Sequence, residues 1–530
     1  MTNSYLNKIS ILLRKTDHYR KSPIILFFLF FVLLSNIGFS QTDSILYRKI
    51  IIPEQKTTIY ELLTQITDQT GYFFMYDSKL VNSDKVIKVS SQEKTLKQIL
   101  TDIIENPSLD FKVVERHILI YSSNKRNQAR INQRSDSLGF VTLNGRILDR
   151  LSNESISFAS IGILEKNIGT ISNFDGYFSL KIPNTLLNSS IVVSHLGYKN
   201  QQIPAKLLIN NRIDIFLETN YISIQEVIIH NFDPLGIVKK AYQSRSVNYP
   251  QKPIYQTSFY REGVIKNDKY LNYSEAVLNI YKSSYSRSED ADQIKIYKSR
   301  SIVNIDQNDT LILKLKSGLK SCLTLDIVKS VPDFLDPEYI DNYNFTKADI
   351  VSINSRNAYA IAFEQKGNIP EPLFKGTLYI DMNNFAIVSA EFEVNPELIK
   401  DASDQFIVKR SRKFSTRPER INYVVTYNQW NGKYYINHIR GDLTFKFKKR
   451  YSLFSNKFHT FLELASCQID TVNITRFNHE EVIKPNLIFV DTKFLYDEEF
   501  WGNYNTIIPE EKLSEALSRI NSKIEVVNPN

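Results

Sequence analysis

The segment GTISNFDGYFSL, residues 169–180, places asparagine, aspartate and glycine in one short loop, and calcium loops use these residue types. Asn173, Asp175 and Gly176 can be aligned with the third, fifth and sixth positions of an EF-hand loop. That alignment puts isoleucine at the first and twelfth positions, which should be acidic, and no helices flank the segment. The segment therefore predicts a tight turn in which Asn173 and Asp175 bond to nearby backbone and Gly176 takes a positive φ.

The histidines lack the spacing that a zinc site needs. Seven occur, namely His18, His117, His195, His230, His438, His459 and His479. None lies in H-E-x-x-H or H-x-x-E, which place two ligands on one surface, and we interpret His479-Glu480-Glu481 as a solvated charge cluster. The sequence also lacks the G-x-S-x-G elbow of hydrolases and the glycine-rich loops that bind phosphate. We therefore predict no catalytic, cofactor-binding or metal-binding residue.

The two cysteines, Cys322 and Cys467, leave two alternatives open. In an oxidising compartment they would pair and close a long loop, which stabilises a protein by roughly 3–5 kcal/mol. Otherwise they are two buried thiols, because sequence alone does not show whether the two residues come close enough to pair.

Length and composition limit the class of protein. A chain of 530 residues predicts two to four domains, and 30 tyrosines and 32 phenylalanines favour β structure. The formal net charge of +9 is small for this length, and no basic stripe alternates with aromatic residues. Nucleic acid is therefore excluded as an expected partner.

The N-terminus has the pattern of a signal peptide. A basic region ends at Lys21, the apolar run IILFFLFFVLL covers 24–34, and small residues follow at Gly38 and Ser40. We expect cleavage before Gln41, so that residues 1–40 are removed and the protein is exported to the periplasm or the periplasmic face of an outer membrane. The alternative is a retained membrane anchor, but the apolar run is short for a span of about twenty residues.

Residues 41–122 contain an internal repeat. TIYELLTQI at 58–66 aligns with TLKQILTDI at 95–103, and in both a threonine precedes apolar residues at helical spacing. Extended aromatic or aliphatic segments surround the two helices, which predicts paired βαβ units. The pattern resembles the secretin and TonB N-terminal short domain, and the resemblance implies a docking module for envelope proteins, including TonB-system or outer-membrane components.

A second module covers residues 140–229 after a polar linker at 123–139. Short β-type runs separated by turn residues predict an all-β sandwich. The ordered motifs NGRILD, ISFASIGI, GTISNFDGYFSL and SHLGYK resemble the carboxypeptidase regulatory-like domain, a transthyretin-like sandwich without catalytic activity. The following ISIQEVII resembles the linker found after this domain in envelope proteins of the Bacteroidetes.

The remaining chain predicts a helical connector at 230–250 and a larger β domain at 251–530. Asp233 and Pro234 supply an N-cap and a first helical residue, and Asn431-Gly432 predicts a two-residue hairpin turn. Alternation in LYIDMNNFAIVSAEF predicts a curved antiparallel sheet with one apolar face, which resembles the half-barrel of periplasmic lipoprotein carriers. We expect the helices at 233–244 and 509–520 to cover that face.

The sequence thus predicts a multidomain, β-rich protein with a small α+β domain, a β-sandwich and an antiparallel, half-barrel-like domain that ends in a helix. We expect a non-enzymatic binding or scaffold protein of the cell envelope, which docks partner proteins or an apolar ligand. The alternative is a periplasmic hydrolase with an unrecognised site in residues 250–491. Membrane association is expected to be peripheral, because the last region alternates apolar residues with charges.

Overall fold

The computed structural model describes residues 45–91, 93–122, 139–209, 212–220, 233–266, 269–286, 290–303, 318–353, 356–402, 414–449, 455–484 and 501–510. The predicted signal peptide, most of the linker, the ISIQEVII segment and the predicted terminal helix beyond Glu510 lie outside these residues. No helix among the described residues has both the length and the apolar character needed to span a membrane.

The described residues form a multidomain, β-rich fold, as predicted. The helices are α1 (Ile59–Thr70), α2 (Leu96–Ile104), α3 (Pro234–Gln243), α4 (Arg245–Asn248) and α5 (Gly318–Thr324). The strands are β1 (Lys49–Ile51), β2 (Gln55–Thr58), β3 (Phe73–Met75), β4 (Val86–Val89), β5 (Glu93–Thr95), β6 (Leu109–Val114), β7 (His117–Ser122), β8 (Phe140–Asp149), β9 (Ser160–Ile163), β10 (Gly169–Ile171), β11 (Tyr177–Pro183), β12 (Ser190–Ser194), β13 (Gln201–Pro204), β14 (Arg212–Leu217), β15 (Ile254–Lys266), β16 (Lys269–Lys282), β17 (Gln293–Val303), β18 (Tyr343–Ile353), β19 (Arg356–Gln365), β20 (Phe374–Asp381), β21 (Ile387–Val394), β22 (Phe414–Trp430), β23 (Lys433–Lys449) and β24 (Ser455–Asp470).

The described residues separate into two compact units, and the first comprises those from residue 45 to Thr57 together with those between Val86 and Glu105. Its strand β1 pairs antiparallel with β5. Helix α2 begins with a capping box, in which the Gln98 backbone N–H donates to the Thr95 hydroxyl at 3.3 Å and the Thr95 backbone N–H donates to the Gln98 side chain at 2.9 Å. Four apolar side chains on one face of α2 are buried, as the sequence period predicts.

The second unit contains the other described residues, including the α1 half of the predicted 41–122 module. Helix α1 also has a capping box, formed by Thr58 and Glu61. Its strand β7 pairs parallel with β3 and antiparallel with β6. Met75 from β3 and Leu119 from β7 pack in the same core as the sandwich, so this half-module and the sandwich fold around shared apolar contacts.

The sandwich at 139–220 consists of a four-stranded sheet, β10-β9-β12-β13, and a three-stranded sheet, β11-β8-β14. The GTISNFDGYFSL segment connects β10 to β11 by the predicted turn. Gly176 has a φ of 82°, and the Tyr177 backbone N–H donates to the Asn173 side-chain oxygen at 2.8 Å. The turn prediction is therefore confirmed for Asn173 and Gly176.

Among the described residues, the large domain is built on one antiparallel sheet of ten strands, in the order β17-β16-β15-β24-β23-β22-β21-β20-β19-β18. The predicted Asn431-Gly432 turn joins β22 to β23, and both residues have positive φ, at 48° and 73°. The face predicted to be apolar is buried throughout the described residues, including Leu378, Ile380 and Phe392.

The cover over this apolar face agrees only in part with the sequence prediction. Helix α3 contributes Val238 and Ala241 to the core, as expected. The segment from α5 to β18, which the sequence analysis did not assign, adds Phe334, whose ring stacks on Phe363 with centroids 4.4 Å apart. Residues 511–520 lie outside the described chain, and the preceding Trp501 packs on the opposite face of the sheet.

Replacing Phe392 with Asp should lower the free energy of unfolding by at least about 3 kcal/mol, because the carboxylate would lie among the rings of Phe334, Phe374 and Tyr423. Urea unfolding followed by circular dichroism measures the change. Glu391→Ala, at the adjacent exposed position, is the control and should change stability by less than about 0.5 kcal/mol. A cooperatively folded Phe392→Asp variant of normal stability would contradict the buried face.

Gly176 and Gly197 form a matched pair, because both have a φ of 82° but only Gly176 is crowded. A Cβ on Gly176 would lie 2.5 Å from the Ile147 carbonyl oxygen, whereas one on Gly197 would meet nothing within 4 Å. Gly197→Ala should cost about 1–2 kcal/mol through backbone strain, and Gly176→Ala should cost about 1–3 kcal/mol more. Equal losses in urea unfolding would contradict the close approach at Gly176.

Candidate functional site

A cleft of about 310 Å³ lies between the sandwich and the large sheet, inside the second unit. Strands β9, β10 and β12 with their connecting turns form one wall. The β22–β23 hairpin, the end of β24 and the β19–β20 edge form the other. Small-molecule sites in proteins commonly lie between packed modules of this kind.

Direct hydrogen bonds hold the two walls together. The Asn428 side-chain amide donates to the Ser160 hydroxyl at 2.7 Å. The Ile469 backbone N–H donates to the Asn167 carbonyl at 3.3 Å, and an isolated antiparallel bridge pairs Ile168 with Gln468. The width of the cleft is therefore set by backbone and amide contacts between the two modules.

Two aromatic rings of the β22–β23 hairpin line the cleft. Trp430 and Tyr435 lie across the hairpin from each other with ring centroids 5.9 Å apart, and they pack with Ile254 and Ile469. The tight turn at 431–432 brings the two strands together at this point. The pair gives the cleft an apolar floor whose rings also carry polar atoms.

The charged residues of the cleft balance one another. The Arg356 guanidinium lies 3.4 Å from the Asp381 carboxylate, and the Tyr434 hydroxyl donates to the same carboxylate at 2.9 Å. Burial raises the pKa of Tyr434 to about 12, so its hydroxyl keeps its proton at neutral pH. Glu165 and Lys166, adjacent in the β9–β10 turn, add one charge of each sign.

One polar atom of the lining has no partner within the protein. The side-chain oxygen Oδ1 of Asn200 is inaccessible to solvent and accepts no hydrogen bond from the protein. Asn200 lines the cleft just before β13. A buried acceptor without a donor is costly, and a donor in the cleft can satisfy this one only when the Asn200 amide turns to expose it.

A buried ionic layer lies beside the cleft on the same face of the sheet. Glu463 of β24 contacts the Arg261 guanidinium of β15 on one side, and the Arg440 guanidinium of β23 lies 3.4 Å away on the other. Nε2 of His438 lies 2.7 Å from the same carboxylate. Burial alone would raise the pKa of Glu463, but the two guanidiniums and His438 hold it well below its usual range.

The ionic layer supports the sandwich wall of the cleft. The ring of Phe158, which belongs to the sandwich, stacks on His438 with centroids 5.1 Å apart, and the Arg440 guanidinium lies 5.2 Å from the same ring. Arg261 also reaches Glu510 at 2.7 Å, so the C-terminal stretch is joined to the same layer. The charges are paired, which gives the layer a structural role.

One contact in the large domain has residue types that a hydrolase could use. The Lys329 amine donates to the Ser283 hydroxyl at 2.7 Å, and burial lowers the pKa of Lys329. However, the Ser283 hydroxyl donates to the Asp290 carbonyl at 2.6 Å, and Lys329 also pairs with Asp292. The serine proton therefore points away from the lysine, both side chains are buried, and neither lines the cleft.

The histidines that the sequence could not assign take separate positions. His117 is buried in β7 with no partner at either ring nitrogen, and burial lowers its pKa to about 4. His479 is exposed, and His18 and His230 lie outside the described residues. Within the described ranges, no group of three or more His, Cys, Asp or Glu side chains could hold a metal ion.

The cysteines are both buried free thiols, so the structure resolves that alternative against a disulfide. Cys322 belongs to α5 and packs in the apolar core, whereas Cys467 lies on the opposite face of the sheet. Burial raises the pKa of Cys467, which lines the cleft, to about 12, so its sulfur is protonated and unreactive at neutral pH.

Sequence reasoning found the hairpin turn but not the cleft residues beside it. Trp430 and Tyr435 flank the Asn431-Gly432 turn that the sequence predicts. An aromatic pair next to a hairpin turn was therefore the sequence signal that could have indicated these cleft residues. Glu463 gave a different signal, since it is a charge between Leu462 and Leu464, and its partner Arg261 lies on β15. Their pairing across 202 residues of sequence was not predictable.

Replacing Glu463 with Gln should lower the free energy of unfolding at pH 7 by at most about 3–5 kcal/mol. Arg261 and Arg440 would lose the fully buried carboxylate that they share and keep only the more exposed Glu510 and Asp442. The native pKa of Glu463 is lower than its ordinary value of 4.5, so its contribution is present above that value and is lost as the pH falls further. The difference between wild type and variant should therefore shrink below about pH 4.5.

Urea unfolding between pH 7 and pH 3 measures this difference. Glu481→Gln removes an exposed ion pair with Lys295 and is the control, for which we expect little change. A deficit in Glu463→Gln that stays constant with pH would contradict the ionised state of Glu463.

Three solved structures show distant likenesses to the chain. The crystal structure of a DUF1329 family protein from Desulfovibrio piger has 12% identity and a TM-score of 0.21, and the match covers 47% of this chain and 99% of that one. A lipovitellin structure described for its lipid–protein interactions has 8% identity and a TM-score of 0.22, with 43% and 26% covered. FpvA of P. aeruginosa, in complex with a pyoverdine and iron, has 8% identity and a TM-score of 0.11, with 78% and 56% covered. At such TM-scores these likenesses carry no argument about function.

The sandwich has a clear family assignment. No curated protein matches the chain. Residues 143–229 match the family described as the CarboxypepD_reg-like domain, which agrees with the resemblance found from the ordered motifs at 140–229. The wall of the cleft formed by β9, β10 and β12 therefore belongs to a CarboxypepD_reg-like domain.

Proposed function

We propose that this protein is a non-enzymatic binding protein of the cell envelope and that the cleft between the CarboxypepD_reg-like domain and the large sheet holds a small ligand. The observation that carries the proposal is the combination of a floor formed by Trp430 and Tyr435 with the unpartnered acceptor of Asn200. Together they offer apolar contact and, when the Asn200 amide turns toward the cleft, a directed hydrogen bond, which small-molecule sites use for affinity and orientation.

The cleft is a better candidate site than the apolar face of the sheet. A lipid carrier needs that face open, whereas here α3, α5 and the segment that follows α5 pack on it within the described residues. The apolar ligand expected from the half-barrel resemblance is therefore not part of the proposal.

The hydrolase alternative has less support than binding. The Asp381 carboxylate in the cleft accepts hydrogen bonds from Tyr434 and Arg356 and has no histidine or lysine partner there. Ser283 and Lys329 lie elsewhere, with the serine proton directed to a carbonyl. Binding without covalent chemistry fits these contacts better.

The proposed location rests on the sequence of the N-terminus and of the first module. The apolar run at 24–34 after a basic region supports export, and the repeated helices at 59–70 and 96–104 support a short docking module of the secretin and TonB type. We propose that this module docks envelope proteins at the periplasmic side of an outer membrane while the cleft holds the ligand.

The two tryptophans of the chain allow a direct test of binding in the cleft. Trp430 lines the cleft, whereas Trp501 packs against Phe259 with ring centroids 5.5 Å apart. In a Trp501→Phe variant, Trp430 is the sole indole reporter. Its fluorescence should change saturably with at least one of three millimolar probes, namely a neutral disaccharide, citrate and decanoate.

The Trp430→Phe variant is the matched control, because its only indole is Trp501 and its fluorescence should not respond to the same probes. A response of both variants would indicate a non-local effect. Absence of a Trp430 response to all three chemical classes would contradict the proposed function.

A further inference from the structure

We infer that the ligand of the cleft is an uncharged saccharide of one or two rings. This inference rests on the proposed function, since it names the chemical class that the same cleft takes. The size, the charge, the aromatic floor and the hydrogen-bonding groups of the cleft lining support this ligand class.

The size of the cleft limits the ligand. A volume of about 310 Å³ is at the lower end of the ~300–1,000 Å³ range of small-molecule sites. The cleft therefore has space for one or two sugar rings and is too small for a long acyl chain or a folded peptide segment.

The charges of the lining favour an uncharged ligand. Its charged side chains are Glu165, Lys166, Arg356 and Asp381, two of each sign. Arg356 and Asp381 already neutralise each other at 3.4 Å. A site for a phosphate or a carboxylate would need an excess of positive charge, which this lining does not have.

The aromatic floor suits the C–H face of a sugar ring. Trp430 is partly exposed, and its ring is held against Tyr435 by the hairpin. Indole and phenol rings present a rigid apolar surface next to a polar edge, so they bind ligands that are apolar on one face and polar around the rim.

The polar rim offers both donors and acceptors, which hydroxyl groups require because each one donates and accepts. Its amide side chains are Asn167, Asn200, Asn428, Gln429 and Asn437. Three of them, Asn167, Asn428 and Asn437, already hydrogen-bond within the protein. The Asn200 Oδ1 atom lacks a donor in the protein, and a sugar hydroxyl supplies one when the amide turns toward the cleft. An apolar ligand such as a fatty acid would leave this acceptor unsatisfied.

Asn200→Ala is the decisive variant, because the Oδ1 atom that it removes makes no hydrogen bond within the protein. In the Trp501→Phe background, the affinity for N,N′-diacetylchitobiose or maltose should fall by about three- to tenfold, as expected for one hydrogen bond. Gln202→Ala is the control, since Gln202 is exposed on β13 and does not line the cleft. Both variants should keep the wild-type urea midpoint, and the bound disaccharide should be recovered intact.

The outcomes separate the two proposals. Saturation by citrate or decanoate without saturation by either disaccharide would overturn the saccharide assignment and leave the binding function in place. Saturation by a disaccharide with equal affinity in Asn200→Ala and wild type would overturn the role of the Asn200 acceptor. Hydrolysis of the disaccharide would overturn the non-enzymatic function itself.

Discussion

The buried carboxylate of Glu463 constrains the arrangement of the large sheet. A charge without access to water is tolerated only beside opposite charges, and here Arg261 and Arg440 come from the two strands that flank β24. Both arginines are register partners of Glu463 in the ladder. A slip of one residue in either pairing would turn a guanidinium to the opposite face, so this carboxylate specifies the register of three strands.

The same layer connects the sheet to the CarboxypepD_reg-like domain. Phe158 of the sandwich lies over His438 and Arg440, so its ring contacts groups whose positions Glu463 determines. The sandwich wall of the cleft thus packs against the ionic layer. The Asn428–Ser160 hydrogen bond joins the two walls directly. The geometry of the cleft therefore depends on residues that do not line it.

Local features of the fold were predictable from the sequence, whereas contacts between distant residues were not. The threonine caps at 58 and 95, the aspartate cap of α3 and the Asn431-Gly432 turn all act within a few residues, and each was identified correctly. Helix α5 has only seven residues and was missed, because so short a helix gives little periodic signal. The cleft joins residues near 160, 356, 430 and 467, and no local pattern indicates that such segments meet.

The two faces of the large sheet illustrate why an apolar surface alone is a poor guide to a binding site. The apolar face had the stronger sequence signal, and that signal arose because the face is a packed core. The opposite face carries charges and amides, which must find partners when a second domain covers them. Where the partners are complete, as around Glu463, the result is a rigid support. Where one is missing, as at Asn200, the protein keeps an acceptor that a ligand can satisfy once the amide turns toward the cleft.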